Sequence, residues 1–267
     1  NREDHNSSKV KTGKDVKMAE KPILFSGPMV RAILDGRKTQ TRRVVKPKHE
    51  GGVITSLNPD GLPIESWGGG KGFAAVGMEV RESPYGKPGD QLWVRETFAT
   101  SGEKDSGGSP TRRVAYQADG WAGYVYAPQP PHRHGHILKS ECPTSDEIGE
   151  CFGLGRYGGK WRPSIHLPRW ASRIQLEVTG VRVERLQDIT PDDAWAEGIW
   201  HASEEFRRQV CQMRDSAESL RQLRLETFQE LWNSINGKPR DDGEDISWSA
   251  NPWVWVVEFK QLAECGV

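Results

Sequence analysis

The sequence is poor in cysteine, in net charge and in long apolar runs. Its 267 residues include four cysteines, and lysine plus arginine equal aspartate plus glutamate at 37 each. Four cysteines are too few for a disulfide-stapled scaffold, and zero net charge does not favour binding of a long nucleic acid polymer. The sequence contains no secretory signal and no run that could span a bilayer. We therefore expect a soluble, cytoplasmic protein that makes no contact with membranes.

Glycine and tryptophan are abundant, with 29 glycines and 11 tryptophans. The tryptophans supply enough buriable area for a core, although only 35% of the residues are hydrophobic. Residues 1–20 are polar and lack periodicity, which indicates a disordered tail or an expression remnant. We interpret residues 21–267 as one domain. Residues 118–160, rich in proline and glycine, are predicted to be an insertion with little regular structure.

Hydrophobic patterns predict several further elements. Alternation favours strands at 22–25, 91–98, 114–117 and 252–260, and one or two strands at 172–186, bent at Gly180. The glycine-rich residues 49–89 are typical of turns between short strands. Thr190, Pro191 and Asp193 open a helix over 191–197 in a capping-box pattern. A longer helical region begins at 203 and ends at Asn236 and Gly237.

Residues 34–43 (Leu-Asp-Gly-Arg-Lys-Thr-Gln-Thr-Arg-Arg) join a predicted helix to a predicted strand. Pro28 suits the first helical turn, and Gly36 suits the left-handed position after the last one. Alternation then places Thr39, Thr41 and Arg43 on one face of the strand. Residues 31–48 carry seven basic residues and one acid, a local charge that suits phosphate or another anion. From the pattern alone, this stretch is either a solvated basic strand or a chemical site.

This stretch resembles the signature of the ASCH superfamily, whose domains have a PUA-like fold. Bacterial N(4)-acetylcytidine amidohydrolases of this superfamily carry a similar run, matched here by Gly36, Arg37, Lys38, Thr39, Thr41 and Arg43. The Pro-Gly-Asp-Gln-Leu-Trp-Val-Arg-Glu run at 88–96 is similar to a second recurrent block of the superfamily. More weakly, the whole chain resembles uncharacterised phage and prophage members. The resemblance implies an α+β, PUA-like small mixed β-barrel with flanking helices, here enlarged by the insertion and the long helix in the C-terminal half.

The same resemblance implies a catalytic set of Lys38, Thr41 and Glu197. A threonine hydroxyl needs a base to remove its proton. Lysine can be that base if burial and neighbouring arginines lower its pKa. Glu197 would orient the lysine or return the proton to the leaving amine. The alternative is that Lys38 and Glu197 only form an ion pair that holds helix to strand.

Aromatic and basic residues supply candidates for substrate binding. Recognition of an unstacked base uses flat aromatic faces and guanidinium groups. Prolines deny residues 161–170 a place in a central strand, so this segment could form a pocket wall. The candidate substrate-binding residues are Arg37, Thr39, Arg43, Trp161, Arg162 and Arg169.

Histidines and cysteines between 132 and 151 raise the question of zinc. His132, His134, His136, Cys142 and Cys151 include no Cys-x-x-Cys pair and match no standard zinc spacing. We therefore expect neither a metal nor another cofactor.

The leading hypothesis is metal-independent hydrolysis of an N-acylated nucleobase or nucleoside, similar to N(4)-acylcytidine. Its partner would be a modified nucleoside or a single-stranded nucleic acid. The main alternative is a non-catalytic RNA- or DNA-binding PUA-like module, and a phage-encoded interaction protein with a vestigial site is a third. Near-zero net charge argues against the binding of long polymers.

Overall fold

The structure is a computed structural model. It describes residues 18–68, 77–100, 111–120, 122–126, 137–138, 161–199, 217–238 and 244–262. Most of the expected tail, the first part of the expected long helical region and the five histidine and cysteine residues named above lie outside these ranges. The described residues form an α+β fold composed mainly of strands.

The strands are β1 (Glu20–Leu24), β2 (Gln40–Val44), β3 (Val53–Leu57), β4 (Pro63–Trp67), β5 (Gly77–Val80), β6 (Gln91–Arg95), β7 (Phe98–Thr100), β8 (Thr111–Tyr116), β9 (Ala122–Tyr126), β10 (Ile137–Leu138), β11 (Gln175–Arg185) and β12 (Trp253–Gln261). The helices are α1 (Gly27–Leu34), α2 (Pro191–Ala196) and α3 (Ala217–Asn236). Short 3-10 turns occupy Ser164–His166, Arg169–Ala171 and Leu186–Asp188.

The main sheet has five strands in the order β1-β6-β11-β12-β2. It is mixed, because β1 runs parallel to β6 while the other neighbours are antiparallel. The register of β11 against β12 is irregular between Val178 and Gly180, so the predicted bend lies within one continuous strand. A Cβ on Gly180 would lie 2.7 Å from a carboxylate oxygen of Glu258. The glycine therefore permits the close approach at the bend.

Strand β12 is buried on both faces, which explains its nearly continuous apolar sequence. Trp255 and Val257 belong to one core cluster, which includes Val30 and Ile33 of α1. Val254 belongs to a second cluster with residues of α2 and α3, such as Phe228. Helices therefore cover both sides of the sheet, and α1 lies on the side opposite to α2 and α3.

Two smaller sheets accompany the main one, with orders β3-β4-β5 and β10-β9-β8-β7. The strand expected over 91–98 divides at Glu96, because its last part leaves the main sheet to pair with β8 as β7. The expectation of little regular structure over 118–160 is wrong for β9 and β10. Backbone pairing with β8 and then with β9 orders these segments, and a backbone ladder does not require side-chain alternation.

No sheet closes into a barrel within the described residues, so the expected closed barrel is not observed there. The edge strands of the main sheet are β1 and β2. The Arg43 guanidinium of β2 donates to the Leu24 carbonyl of β1. A side-chain hydrogen bond therefore links the two edge strands, and no ladder of backbone hydrogen bonds joins them among the described residues. The described part of the chain also has no helix that is long and apolar enough to span a membrane.

Candidate functional site

The end of α1 and the start of β2 position Lys38. Gly36 adopts a left-handed φ of 69°, and the N–H groups of Arg37 and Lys38 both donate to the Ala32 carbonyl at 2.9 Å. The Thr39 N–H then donates to the Ala196 carbonyl at the end of α2, at 2.9 Å. These backbone bonds place the Lys38 side chain against the C-terminal end of α2.

Glu197 is the C-terminal cap of α2 and directly contacts Lys38. The Lys38 ammonium donates to the main-chain oxygen and to a carboxylate oxygen of Glu197, both at 2.8 Å. The Lys38 residue is 2% exposed and Glu197 is 5% exposed. Gly198 follows at a φ of 81°, and a Cβ there would lie 3.0 Å from the Lys38 Cβ. The structure thus brings two members of the expected catalytic set into contact.

Burial lowers the pKa of the Lys38 ammonium below its ordinary value. The Glu197 carboxylate opposes this shift, while the positive charges of Arg43 and Arg42 add to it. The Lys38 amine therefore becomes neutral at a lower pH than the amine of a solvated lysine. A lysine of this kind can accept a proton during catalysis.

Arg42 joins Glu197 to a wider network of buried charges. Its side chain is fully buried, and its Nη1 lies 3.3 Å from Glu197 Oε1. Its Nε donates to Glu184 at 3.1 Å, and Nη2 lies 3.5 Å from Asp193 Oδ2. Arg182 pairs with the same Glu184 and Asp193 at 3.1 and 3.2 Å. Two guanidinium groups and one ammonium thus hold these carboxylates in fixed positions.

A cavity of about 250 Å³ lies beside this network. Its walls come from α1, β2, α3 and the loop that carries Tyr85. The lining residues are Met29, Thr41, Arg42, Arg43, Val44, Lys46, Tyr85, Glu197, Phe228, Leu231, Trp232, Ile235 and Asn236. This volume is slightly below the roughly 300–1,000 Å³ of pockets that hold drug-sized ligands.

Thr41 and Glu197 both line this cavity, whereas Lys38 does not. Thr41 is 2% exposed, and no hydrogen bond holds its hydroxyl within the described part of the chain. The hydroxyl therefore remains available to a bound molecule. Because Glu197 lines the cavity and also contacts Lys38, its carboxylate lies between the cavity and the Lys38 amine.

Of the three expected substrate-binding residues in the motif, Arg43 lines the cavity and the other two do not. Thr39 is exposed and lies one residue before β2, so it does not share the buried face of Thr41. Arg37 pairs with Asp35 and does not line the cavity.

Residues 161–170 also lie away from this cavity. The backbone of Arg162 pairs with Phe98, and Arg169 pairs with Glu20 at 3.0 Å. Trp161 is half-buried at the start of this segment. None of the three lines the cavity beside Glu197, so their proposed contact with substrate has no support in its geometry.

Metal ligands require clustered histidine, cysteine or carboxylate groups. The residues that the structure describes contain no group of three or more that could hold a metal ion. The histidines and cysteines between 132 and 151 fall outside those residues. The expectation that no metal is bound stays a prediction.

Sequence reasoning missed the partners that complete the site. Glu184, which fixes Arg42, is 142 positions away in the chain, and no local signal indicates such a pairing. The apolar spacing of α3 predicts a helix with one buried face. It does not indicate that Phe228 and Trp232 on this helix line a cavity. Asp193 caps the helix as predicted. Its side chain also accepts a hydrogen bond from Gln40 at 3.1 Å. One side chain thus serves both functions.

Comparison with models of protein families, with curated proteins and with solved structures gives no match for this chain.

Proposed function

We propose that the protein is a metal-independent amidohydrolase that acts on an N-acylated nucleobase or nucleoside similar to N(4)-acylcytidine. One observation carries this proposal. A buried Lys38–Glu197 pair adjoins a cavity in which the hydroxyl of Thr41 has no partner among the described residues. A nucleophile, a proton acceptor and a group that orients the acceptor are what acyl transfer requires.

The fold is compatible with a PUA-like domain of the ASCH superfamily. Its main sheet is mixed and has helices on both faces. The bond from Arg43 to Leu24 links the two edge strands, as an incompletely closed barrel would require. We propose this superfamily assignment on the motif at residues 36–43 together with that arrangement.

In the proposed reaction, the Thr41 oxygen attacks the acyl carbon of the substrate. With Lys38 in its neutral amine form, the Thr41 proton passes to Glu197, and the Lys38 amine takes a proton from Glu197 across their 2.8 Å contact. The carbon–nitrogen bond then breaks, and the leaving amine takes the proton back from the pair. Water hydrolyses the resulting threonine ester, so the products are a carboxylic acid, the free amine and regenerated Thr41.

Burial is what makes this proton transfer feasible. Burial lowers the pKa of Lys38, so its neutral amine forms more readily than that of a solvated lysine. Arg42 holds the other carboxylate oxygen of Glu197, so the carboxylate stays aligned while the proton moves. A fixed arrangement of this kind reduces the reorganisation needed in the transition state.

The test is hydrolysis of N(4)-acetylcytidine and longer acyl analogues, measured as release of the carboxylic acid and of cytidine. We expect turnover that is unchanged after treatment with a chelator. A slowly hydrolysed analogue should leave an acyl group on Thr41, visible by mass spectrometry of peptides. Absence of hydrolysis with all analogues would refute the function.

A second candidate is a nucleic acid-binding module without catalysis. It is favoured by Arg43 and Lys46, which line the cavity and have no carboxylate partner among the described residues. Sub-micromolar binding of RNA or DNA by a protein that hydrolyses none of the analogues would establish this alternative. Its affinity should then fall steeply with salt.

A further inference from the structure

The cavity is lined by a guanidinium group that has no carboxylate partner in the part of the chain that the structure describes. Arg43 lines the cavity, and its guanidinium carbon lies 5.3 Å from the centre of the Phe25 ring. It donates to the Leu24 carbonyl, while its Nε is buried and has no hydrogen-bond partner among the described residues. One buried donor of this guanidinium is thus unused among the described residues.

The adjacent Arg42 differs from Arg43 in its charged partners. Arg42 is surrounded by three carboxylates, those of Glu184, Asp193 and Glu197. Arg43 and Lys46 have no such partner within the described ranges. The positive charge of Arg43 is close enough to contribute to the lowered pKa of the Lys38 ammonium. Positive charge left unpaired in a partly buried site favours binding of an anion.

We propose that Arg43 and Lys46 bind a phosphate group of the substrate, so that the substrate is an N-acylated nucleotide and not a free nucleoside. This inference rests on the proposed function. Thr41 and Arg43 are two residues apart on β2, which separates them by about 6.8 Å on the same face of the strand. The acyl group can therefore lie at Thr41 while the phosphate lies at Arg43.

Arginine suits this role because its planar donors match phosphate oxygens in pairs. Lys46 is exposed, so it adds charge at the open side of the cavity. The phosphate could belong to a single nucleotide or to a nucleotide within a single strand. Both present the same anionic oxygens to Arg43, and the choice of substrates in the experiment separates them.

The experiment compares kcat/KM for three substrates: N(4)-acetylcytidine, its 5′-monophosphate, and a short single-stranded oligonucleotide with one internal N(4)-acetylcytidine. A charge-assisted contact predicts a preference of about 10- to 100-fold for a phosphorylated form. Arg43→Gln should reduce that preference to about one, mainly through KM. Whichever phosphorylated form is preferred identifies the source of the phosphate.

Arg95→Gln is the matched control. The Arg95 guanidinium also lies over an aromatic ring, 4.6 Å from the centre of Trp93, and its Nε is likewise buried without a partner among the described residues. It does not line the cavity. Arg95→Gln should therefore keep the full preference for the phosphorylated substrate.

Binding of cytidine 5′-monophosphate, measured by calorimetry, provides a readout that does not depend on turnover. We expect Arg43→Gln to weaken it about 10-fold or more, while Arg95→Gln does not. An active enzyme with equal kcat/KM for the three substrates would overturn the phosphate inference and leave the amidohydrolase function standing. A protein inactive on all three that loses nucleotide binding on Arg43→Gln would overturn the function and support the anion site.

Discussion

The Lys38 ammonium donates two hydrogen bonds of 2.8 Å to Glu197, which lies 159 positions further along the chain. Both residues are almost fully buried. Removing two charges from water costs several kcal/mol per ion, and a well-packed apolar pair of similar volume would often be more stable. Stability alone is therefore a weak explanation for this pair. The proposed role in proton transfer beside the Thr41 hydroxyl would account for both the burial and the position of the pair.

Replacing any member of the catalytic set should abolish turnover. Thr41→Val removes the nucleophile, Lys38→Met removes the proton acceptor, and Glu197→Gln removes the group that connects them. We expect each to lower kcat by about 10²–10⁴-fold. Because the three act as one unit, the Lys38→Met/Thr41→Val double variant should be hardly slower than either single variant. Steady-state hydrolysis of the preferred acylated substrate measures this.

Thr55→Val is the control for loss of a threonine hydroxyl. Thr55 lies on β3, is exposed, and its hydroxyl donates only a long 3.4 Å bond to the Ile64 carbonyl. It should retain wild-type activity. Lys38→Arg keeps the charge but cannot release its proton at working pH, so a folded Lys38→Arg enzyme with near-normal turnover would contradict a base role for Lys38.

The pH dependence of activity should report the lowered pKa of Lys38. The neutral amine is the active form, so kcat/KM should rise with pH through that lowered pKa and then level off. If an ordinary solvated lysine governed this rise in kcat/KM, the midpoint of the rise would instead lie near pH 10.4. A pH profile of kcat/KM, with substrate stability checked at each pH, decides between them.

The same shift makes a prediction about stability. Between the lowered pKa of folded Lys38 and the higher value of the unfolded chain, the unfolded state binds more protons. The free energy of unfolding should therefore rise with pH across that window. Lys38→Met removes this group, so its unfolding free energy should lack that rise. Denaturant titrations of both proteins at a series of pH values test this, and equal slopes would contradict it.

Elements with strong local signals were predictable from sequence. The capping box is confirmed, since the Thr190 hydroxyl and the Asp193 carboxylate each bond the other's backbone N–H. The apolar strand near the C-terminus is confirmed as β12. The contact between Lys38 and Glu197 was expected from the motif, although the role of that contact remains a prediction.

Features that depend on distant partners were not predictable. Whether Thr39 or Thr41 faces the cavity depends on where β2 begins, and pairing with β12 sets that start at Gln40. Alternation gives the period of a strand but does not show where its pairing starts. Similarly, β9 and β10 form because β8 offers a free edge, which the glycine and proline content of 118–160 does not indicate.

Asp193 should contribute to stability against acid. Burial opposes its ionisation, but bonds from Thr190 and Gln40 and the charge of Arg42 hold its pKa below the ordinary value. Its contribution is present above the pKa of the unfolded carboxyl and is lost as pH falls through the lower folded pKa. Asp193→Asn should cost about 1 kcal/mol at neutral pH, as for loss of a helix cap. The difference from wild type should shrink in acid.

Asp192→Asn is the matched control in the same helical turn. The Asp192 side chain is 95% exposed and contacts Arg224 at 2.9 Å. An exposed pair of this kind contributes little, so the variant should unfold like wild type at both pH values. If Asp192→Asn and Asp193→Asn proved equally destabilising, loss of the favourable interaction of either carboxylate with the positive N-terminal end of the helix dipole, and not loss of the buried network, would be responsible.

Gly198 should be required for the alignment of Lys38, and Gly36 provides a direct comparison. Both glycines have a left-handed φ, 81° and 69° respectively, so alanine at either position should cost roughly 1–2 kcal/mol from backbone strain. Only at Gly198 does a new Cβ meet neighbours, at 2.9 Å from Ala32 and 3.0 Å from Lys38, whereas nothing lies within 4 Å at Gly36. Gly198→Ala must therefore displace the Lys38 side chain as well.

We expect the Gly198→Ala enzyme to lose most of its kcat under conditions where it is folded, while the Gly36→Ala enzyme is destabilised but active. Thermal unfolding and kcat measured on both variants separate the two effects, and equal kcat values would show that the contact with Lys38 tolerates displacement.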